Sequence, residues 1–191
     1  MIGRRGILLS GLATMAVGCM PHPQAGGFFA YTSANQIDRR FRRKRVPFDQ
    51  DVAPGTIVVD TAQHYLYLVE DSGSATRYGV GVGEEGRTLK GAATIGRKAV
   101  WPPWTPTANM IKRKPALAQY SAGVPGGPQN PLGARALYLY RDGNDTMFRL
   151  HGTNEPWTIG HSVSSGCIRL ANDDIIHLYD SVPLGTTVLI F

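Results

Sequence analysis

The chain has 191 residues, with 20 Lys and Arg against 14 Asp and Glu and a formal net charge of +6. That is enough for one domain with a real core plus appendages, and 23 glycines and 13 prolines among many Val, Thr and Tyr favour strands and turns. No internal repeat is visible, and no apolar run is long enough for a transmembrane helix. Six of the basic residues lie in RRFRRKR, Arg39 to Arg45, which reads as a solvated basic stretch or one drawn to an anionic lipid or polymer. Nucleic acid is not expected as a partner, because the run has a single interleaved aromatic, Phe41, and no binding fold around it.

In chain order, MIGRRGILLSGLATMAVGC comes first. It has two arginines, Arg4 and Arg5, then an apolar stretch from about Gly6 to Val17, then small residues before Cys19. Residues 1–19 therefore read as an export signal. The arginine pair loosely resembles a twin-arginine signal, and Ala-Val-Gly-Cys resembles a lipobox, which would make Cys19 a lipidation site and the only membrane anchor. Plain secretion is the other reading. Residues 20–53, rich in Pro, Gly, Gln, Asn and Arg, read as a flexible basic linker, ordered at most near Val46 and Phe48.

From residue 54 onward the pattern is that of a folded domain, 54–191. TIVVD and HYLYLVE form a hairpin with His64 at an exposed edge, and TRYGVGVG supplies another strand. A strand is expected around Ala93 to Lys98, followed by a loop in which two prolines separate Trp101 and Trp104. Those rings are either a surface staple or one wall of a substrate cleft. Residues 107–131 read as a long irregular stretch. ALYLYRD and TMFRLHG pair around Gly143–Asp145 and deliver His151 to a strand end. Asn172 is expected to cap a short amphipathic helix carrying Ile175, Leu178, Tyr179 and Val182, and TTVLIF closes the chain as a strand. The count is about seven strands and one short helix.

The chemistry concentrates in His151–Leu170, HGTNEPWTIGHSVSSGCIRL. With Cys19 in the signal, Cys167 is a lone thiol that no disulfide partner claims. A thiol with a histidine across a turn-rich loop is the arrangement nucleophilic catalysis requires, the thiolate being the attacking species. The amides of Ser165, Gly166 and Cys167 are candidates to bind an oxyanion, and Arg169 to hold a substrate carboxylate. The imidazole also needs an orienting partner: Glu155, Asp173 or the carbonyl of Gly152.

HGTN followed by SSGCIRL resembles the L,D-transpeptidase catalytic domain, the bacterial cysteine enzymes of peptidoglycan cross-linking. The resemblance covers residues 54–191 and includes GTIVVD, LYLV, YGVGVG, WPPWTPT, GGPQNPLGARALYL and GTTV. It implies a mainly β chain, a mixed β-sandwich with one short helix after the catalytic cysteine. Cys167 would be the nucleophile, His151 the general base, and the Gly152 carbonyl the group that orients the base, with Arg169 positioning substrate. The implied reaction is acyl transfer from a tetrapeptide stem, releasing D-alanine, to an amine of diaminopimelate or of an outer-membrane protein; no cofactor is needed, and the compartment is the periplasm or cell envelope. One departure is Ser165, where the family often has histidine.

Three other readings remain. Water as acceptor would make the same apparatus an L,D-carboxypeptidase. A zinc site from His151, His161 and Cys167 lacks any paired ligand spacing. A non-catalytic wall-binding lipoprotein would keep Cys167 as a core residue, which Ser-Ser-Gly and Arg169 do not suit.

Overall fold

The computed structural model describes residues 36–191 apart from 72, 85 and 86. The stretch read as an export signal, Cys19 and the first part of the expected linker lie outside those residues. No helix among the described residues is long and apolar enough to cross a membrane.

Strand character follows from burial. β2 (Ile57–Asp60) is covered on both faces, with Ile57 and Val59 fully buried and Val58 nearly so, and reads as a continuous apolar run. β3 (Tyr65–Val69) and β4 (Ser74–Gly79) follow it as antiparallel neighbours. β6 (Gly91–Val100) is longer and carries an irregularity between Ile95 and Arg97. β7 (Arg135–Arg141) and β8 (Asn144–His151) are joined by Asp142 and Gly143, both at positive φ, 51° and 76°. Two positive-φ residues make the hairpin turn whose twist suits the flanking strands, so the turn lies upstream of the position expected from sequence. β11 (Thr187–Ile190) runs parallel to β2 and antiparallel to β6.

With β1 (Lys44–Pro47) and β10 (Ile168–Arg169), these strands form a nine-stranded mixed sheet in the order β1-β4-β3-β2-β11-β6-β7-β8-β10. A two-stranded ladder pairs β5 (Val82–Gly83) with β9 (Ser162–Ser164). Gly81, just past β4, and Arg169 of the terminal strand β10 exchange backbone hydrogen bonds of 2.9 and 2.8 Å. The sheet thereby wraps one core, to which Leu66 and Tyr78 contribute from one end, Leu150 and Ile168 from the other, and Leu178 from the helix α2 (Asn172–Ser181). This is the mainly β architecture expected.

Four details differ from the sequence reading. The linker is ordered at Val46, in strand β1 paired with β4, and at buried Phe48, as the sequence allows, but order begins earlier, with a 3-10 turn at Arg39–Phe41. Phe41 is buried at 6% exposure, so burial of one aromatic orders a run that charge alone suggests is solvated. A second helix, α1 (Ala108–Arg113), stands in the expected loop, capped by Thr107, whose hydroxyl accepts from the Met110 N–H at 3.3 Å. α1 buries none of its residues, so no apolar period announces it. Finally, Asn172 lies inside α2 rather than capping it; Ala171 occupies the cap position. The β strand count also exceeds the expected seven, because β5, β9 and β10 are too short to show alternation.

Leu139 on β7 is fully buried in the wrapped core. We expect Leu139→Ala to lower stability by about 2–5 kcal/mol, through lost burial plus a residual cavity. In urea unfolding the midpoint should fall with unchanged slope; a loss under about 0.5 kcal/mol, typical of surface sites, would contradict the packing described.

Candidate active site

His151 is the last residue of β8, and Cys167 immediately precedes β10. The two strands pair in parallel with Ile168 opposite Leu150 and Arg169 opposite His151, which brings the thiol segment alongside the histidine strand. His151 is 4% exposed, and its Nδ1 lies 2.6 Å from the Gly152 carbonyl oxygen. A carbonyl only accepts, so Nδ1 carries the proton and Nε2 keeps its lone pair. The Gly152 carbonyl is thus the partner of the ring. Glu155 instead accepts from Arg169 Nη1 at 3.0 Å.

Sequence reasoning missed the residue that holds this corner. Asn172 is buried, and its Oδ1 accepts from the Ala134 N–H at 2.9 Å and the Thr153 N–H at 3.2 Å. It ties the approach to β7, the exit from β8 and the start of α2 together around Gly152. A polar residue three positions past Arg169 was the available signal, read there as a cap.

The turn before the thiol is organised by Ser164, not Ser165. Ser164 is buried; its hydroxyl donates to the Cys167 carbonyl at 2.6 Å and accepts from the Gly166 N–H at 3.1 Å. The Gly166 amide is therefore already engaged, which corrects the expectation that it contributes to an oxyanion site. Gly166 has φ 138°, and a Cβ there would stand 2.7 Å from the Arg87 carbonyl oxygen and 2.9 Å from Phe148 Cε1. Only glycine fits. Ser165 is exposed at the cavity mouth.

Cys167 is half-buried, and the His151, Ser165, Gly166 and Arg169 positions line the same cavity of about 520 Å³. Burial raises the thiol pKa above its ordinary value; the Arg149 backbone N–H and the guanidiniums of Arg149 and Arg169 act the other way. For His151 burial dominates too, lowering its pKa to about 3, with nearby Arg169 adding to the drop and the Gly152 bond opposing it. At neutral pH the pair therefore rests as thiol and neutral imidazole.

Arg149 was not anticipated. It lies two residues before His151 on β8, hence on the same face, and it lines the cavity. Asp145 grips its guanidinium at 2.7 and 3.0 Å, and the group sits 4.2 Å from the centre of the Tyr138 ring, its partner across β7. Strand alternation counted back from His151 could have found it. Arg169 is not open in the way expected from sequence, since Glu155 already pairs with it, although both remain at the site.

Trp104 lines the cavity beside Met110 and Arg113 of α1. Trp101 is not among the lining residues, contrary to the expected cleft wall. Its backbone is left-handed, φ 44°, and its N–H donates to the Ala134 carbonyl at 2.9 Å, which carries it into the fold before the two prolines turn the chain outward. His161 is exposed and neighbours His64 rather than the cavity. His64, expected at an open edge, is held by Ser162 at 3.0 Å from its Nε2. Among the described residues no three His, Cys, Asp or Glu side chains come together as a metal site.

The YkuD family model, the L,D-transpeptidase catalytic domain, matches residues 54–190. A curated relative, the probable L,D-transpeptidase ErfK/SrfK of Escherichia coli K12, is 42% identical over 141 residues, 70% of this chain and 43% of that protein. The chain thus spans less than two thirds of that relative's own length. A crystal structure of a Brucella melitensis protein described as a probable carnitine operon oxidoreductase caia is 48% identical, with TM-score 0.55, covering 84% of this chain and 99% of that one. An L,D-transpeptidase structure from Mycobacterium smegmatis shares the fold at 20% identity and TM-score 0.54, covering 73% of this chain and 59% of that one. The Brucella description names a different activity, but the family match covers the whole domain and includes His151 and Cys167. The chain belongs to the L,D-transpeptidase catalytic domain family.

Proposed function

We propose that this protein is a cysteine-dependent peptidoglycan L,D-transpeptidase of the cell envelope, with Cys167 as nucleophile and His151 as general base. The observation that carries the reading is a half-buried thiol sharing one cavity with a neutral imidazole whose Nδ1 is committed to the Gly152 carbonyl. That commitment aims the basic lone pair of Nε2 away from the backbone and makes it available to a proton.

In the proposed first half-reaction, Cys167 Sγ attacks the carbonyl carbon of the L-centre of diaminopimelate in a tetrapeptide stem. The sulfur–carbon bond forms as the thiol proton passes to His151 Nε2. The carbon–nitrogen bond to D-alanine then breaks, and His151 returns the proton to the departing amine. An acceptor amine next attacks the thioester, gives its proton to His151, and the released sulfur recovers it. A diaminopimelate side-chain amine gives a 3→3 cross-link; a protein lysine or water in its place gives protein tethering or carboxypeptidase action. Because both groups start neutral, proton transfer accompanies attack, and no resting ion pair needs desolvation when substrate enters. The amides of Ser165 and Cys167 remain the proposed oxyanion donors. Arg149 and Arg169 supply positive charge to a cleft that would receive a carboxylate-bearing peptide. Export by residues 1–19, with or without lipid on Cys19, would place the domain at its substrate.

Acylation is tested with a carbapenem, whose ring amide opens as the sulfur–carbon bond forms and whose nitrogen takes the proton. We expect one covalent adduct by intact mass on the wild type, none on Cys167→Ala, and turnover lost in His151→Ala with the fold intact. No adduct on either chain would favour a non-catalytic wall-binding protein. Mass spectrometry of stem-peptide fragments incubated with the enzyme then identifies the acceptor, the mark of water being a mass lower by one alanine residue (D-alanine lost, water gained) without cross-linking.

The two serines separate cleanly. Ser164→Ala should slow acylation at least about tenfold and cost about 1–3 kcal/mol, since it strands the buried Gly166 N–H. Ser165→Ala should stay near wild type; the reverse ranking would show the turn assignment to be wrong.

Burial of His151 also predicts a pH dependence of stability. Its folded pKa, about 3, lies below the ordinary 6.5, so the unfolded chain binds the extra proton between those values. The contribution is fully present above pH 6.5 and is lost as pH falls toward 3. The stability difference between wild type and His151→Gln should shrink by up to about 1.4 kcal/mol per pH unit in that window. A difference flat from pH 7 to 4 would mean that the imidazole is not held neutral by burial.

A further inference from the structure

We infer that the segment Ile37–Arg43, upstream of the residues that match the family, is a strap that sets the geometry of the catalytic loop, with Phe41 as its positioning residue. The inference rests on the reading of Cys167 and His151 as the reacting pair. Phe41 and Ile37, 6% and 8% exposed, form a small core with Ile159 and Ala171, against which Tyr65 packs. Ile159 lies in the loop between His151 and Cys167, and Ala171 stands four residues past the thiol at the cap of α2. This small core therefore packs on the chain on both sides of the nucleophile.

The fit leaves no slack. A methyl group on Gly160 would overlap the Phe41 ring, and one on Gly79 would overlap the Phe41 backbone and Cβ. Phe41 is thus wedged between the end of β4 and the catalytic loop. On the β4 side, the Gly160 N–H donates to the Val80 carbonyl at 3.0 Å, and the Val82 N–H to the His161 carbonyl at 3.0 Å. These bonds transmit the position of the loop to the Gly81–Arg169 exchange, two residues from Cys167.

The strap is itself fastened. Asp38 Oδ1 accepts from the Arg40 N–H at 3.0 Å, and the Arg40 carbonyl accepts from Tyr65 at 3.3 Å and from Arg77 at 3.2 Å. At its far end Arg43 Nη1 stands 3.4 Å from the Asp173 carbonyl oxygen and 3.6 Å from Asp174 Oδ1, on the first turn of α2. Phe41 touches no reacting atom. It acts through the loop.

The test uses the full chain and a carbapenem, with acylation followed by intact mass over time and concentration. Hydrogen exchange of residues 156–166 and the thermal midpoint are measured on the same samples. Phe41→Ala should lower the maximal acylation rate about ten- to a hundredfold, the range expected when reacting groups are displaced by an ångström or less. Exchange in the loop should rise, and the half-saturating concentration should move far less than the rate. Phe41→Leu should recover most of the rate, and Arg43→Gln, which loosens only the far end, should lose a few-fold. A folded Phe41→Ala chain with wild-type rate and loop exchange overturns the strap, as does a loss confined to half-saturation. Should Phe41→Ala fail to fold, wild-type rate and loop exchange in Arg43→Gln overturn it equally. A wild-type chain that forms no adduct on Cys167 defeats the functional reading instead, and loop exchange alone then decides for or against the strap.

Discussion

The parallel pairing of β8 with β10 is the contact on which the rest of the site depends. Two residue pairs suffice for it, Leu150 with Ile168 and His151 with Arg169. So short a ladder would not persist alone; it is held because Gly81 takes the other edge of Arg169 and because Leu150, Ile168 and Leu170 are sealed in the core. The sheet wraps until the segment after β4 reaches β10 there. The wrapping explains why a histidine and a cysteine sixteen positions apart come to line one cavity with only a 3-10 turn at Pro156–Thr158 and the short strand β9 between them.

Placing both groups in a protein-lined cleft has an electrostatic consequence. Desolvation penalises imidazolium and thiolate alike, so burial pushes the two pKa values apart and leaves each group uncharged at rest. Arginines around the cleft oppose that penalty for sulfur and reinforce it for imidazole. The same positive charges thus favour a thiolate at Cys167 while disfavouring a proton on the His151 imidazole. Their own partners, Asp145 for Arg149 and Glu155 for Arg169, fix the guanidiniums in place and moderate the field they exert.

How far could the residues alone reveal this? The strand-rich character, the central hairpins, the helix after the thiol and the His151–Cys167 segment were legible, because apolar alternation and turn chemistry are local signals. What escaped was set by contacts distant in sequence. Phe41 orders a basic run by packing on residues more than a hundred positions away. Asn172 looks like a cap in one dimension and is a three-way brace in three. Ser164 and Ser165 are indistinguishable as letters, and only the direction of the chain decides which one is buried. Trp101 and Trp104 look equivalent across their prolines until the left-handed backbone at Trp101 turns one of them away. The short strands β5, β9 and β10 carry too few residues for any period to register.

Strand β1 has a further implication, concerning how the border of the sheet is protected. It forms one border of the large sheet, and Lys44 and Arg45 stand exposed along it with Pro47 at its end. Charge and a missing N–H make a poor template for another chain, and so discourage sheet-to-sheet fusion. Trimming the protein to the family boundary at residue 54 would strip that border away. The backbone of β4, from Ser74 to Gly79, would then offer its open row of donors and acceptors to neighbours, and a minimal fragment would be prone to self-association even if its core were sound.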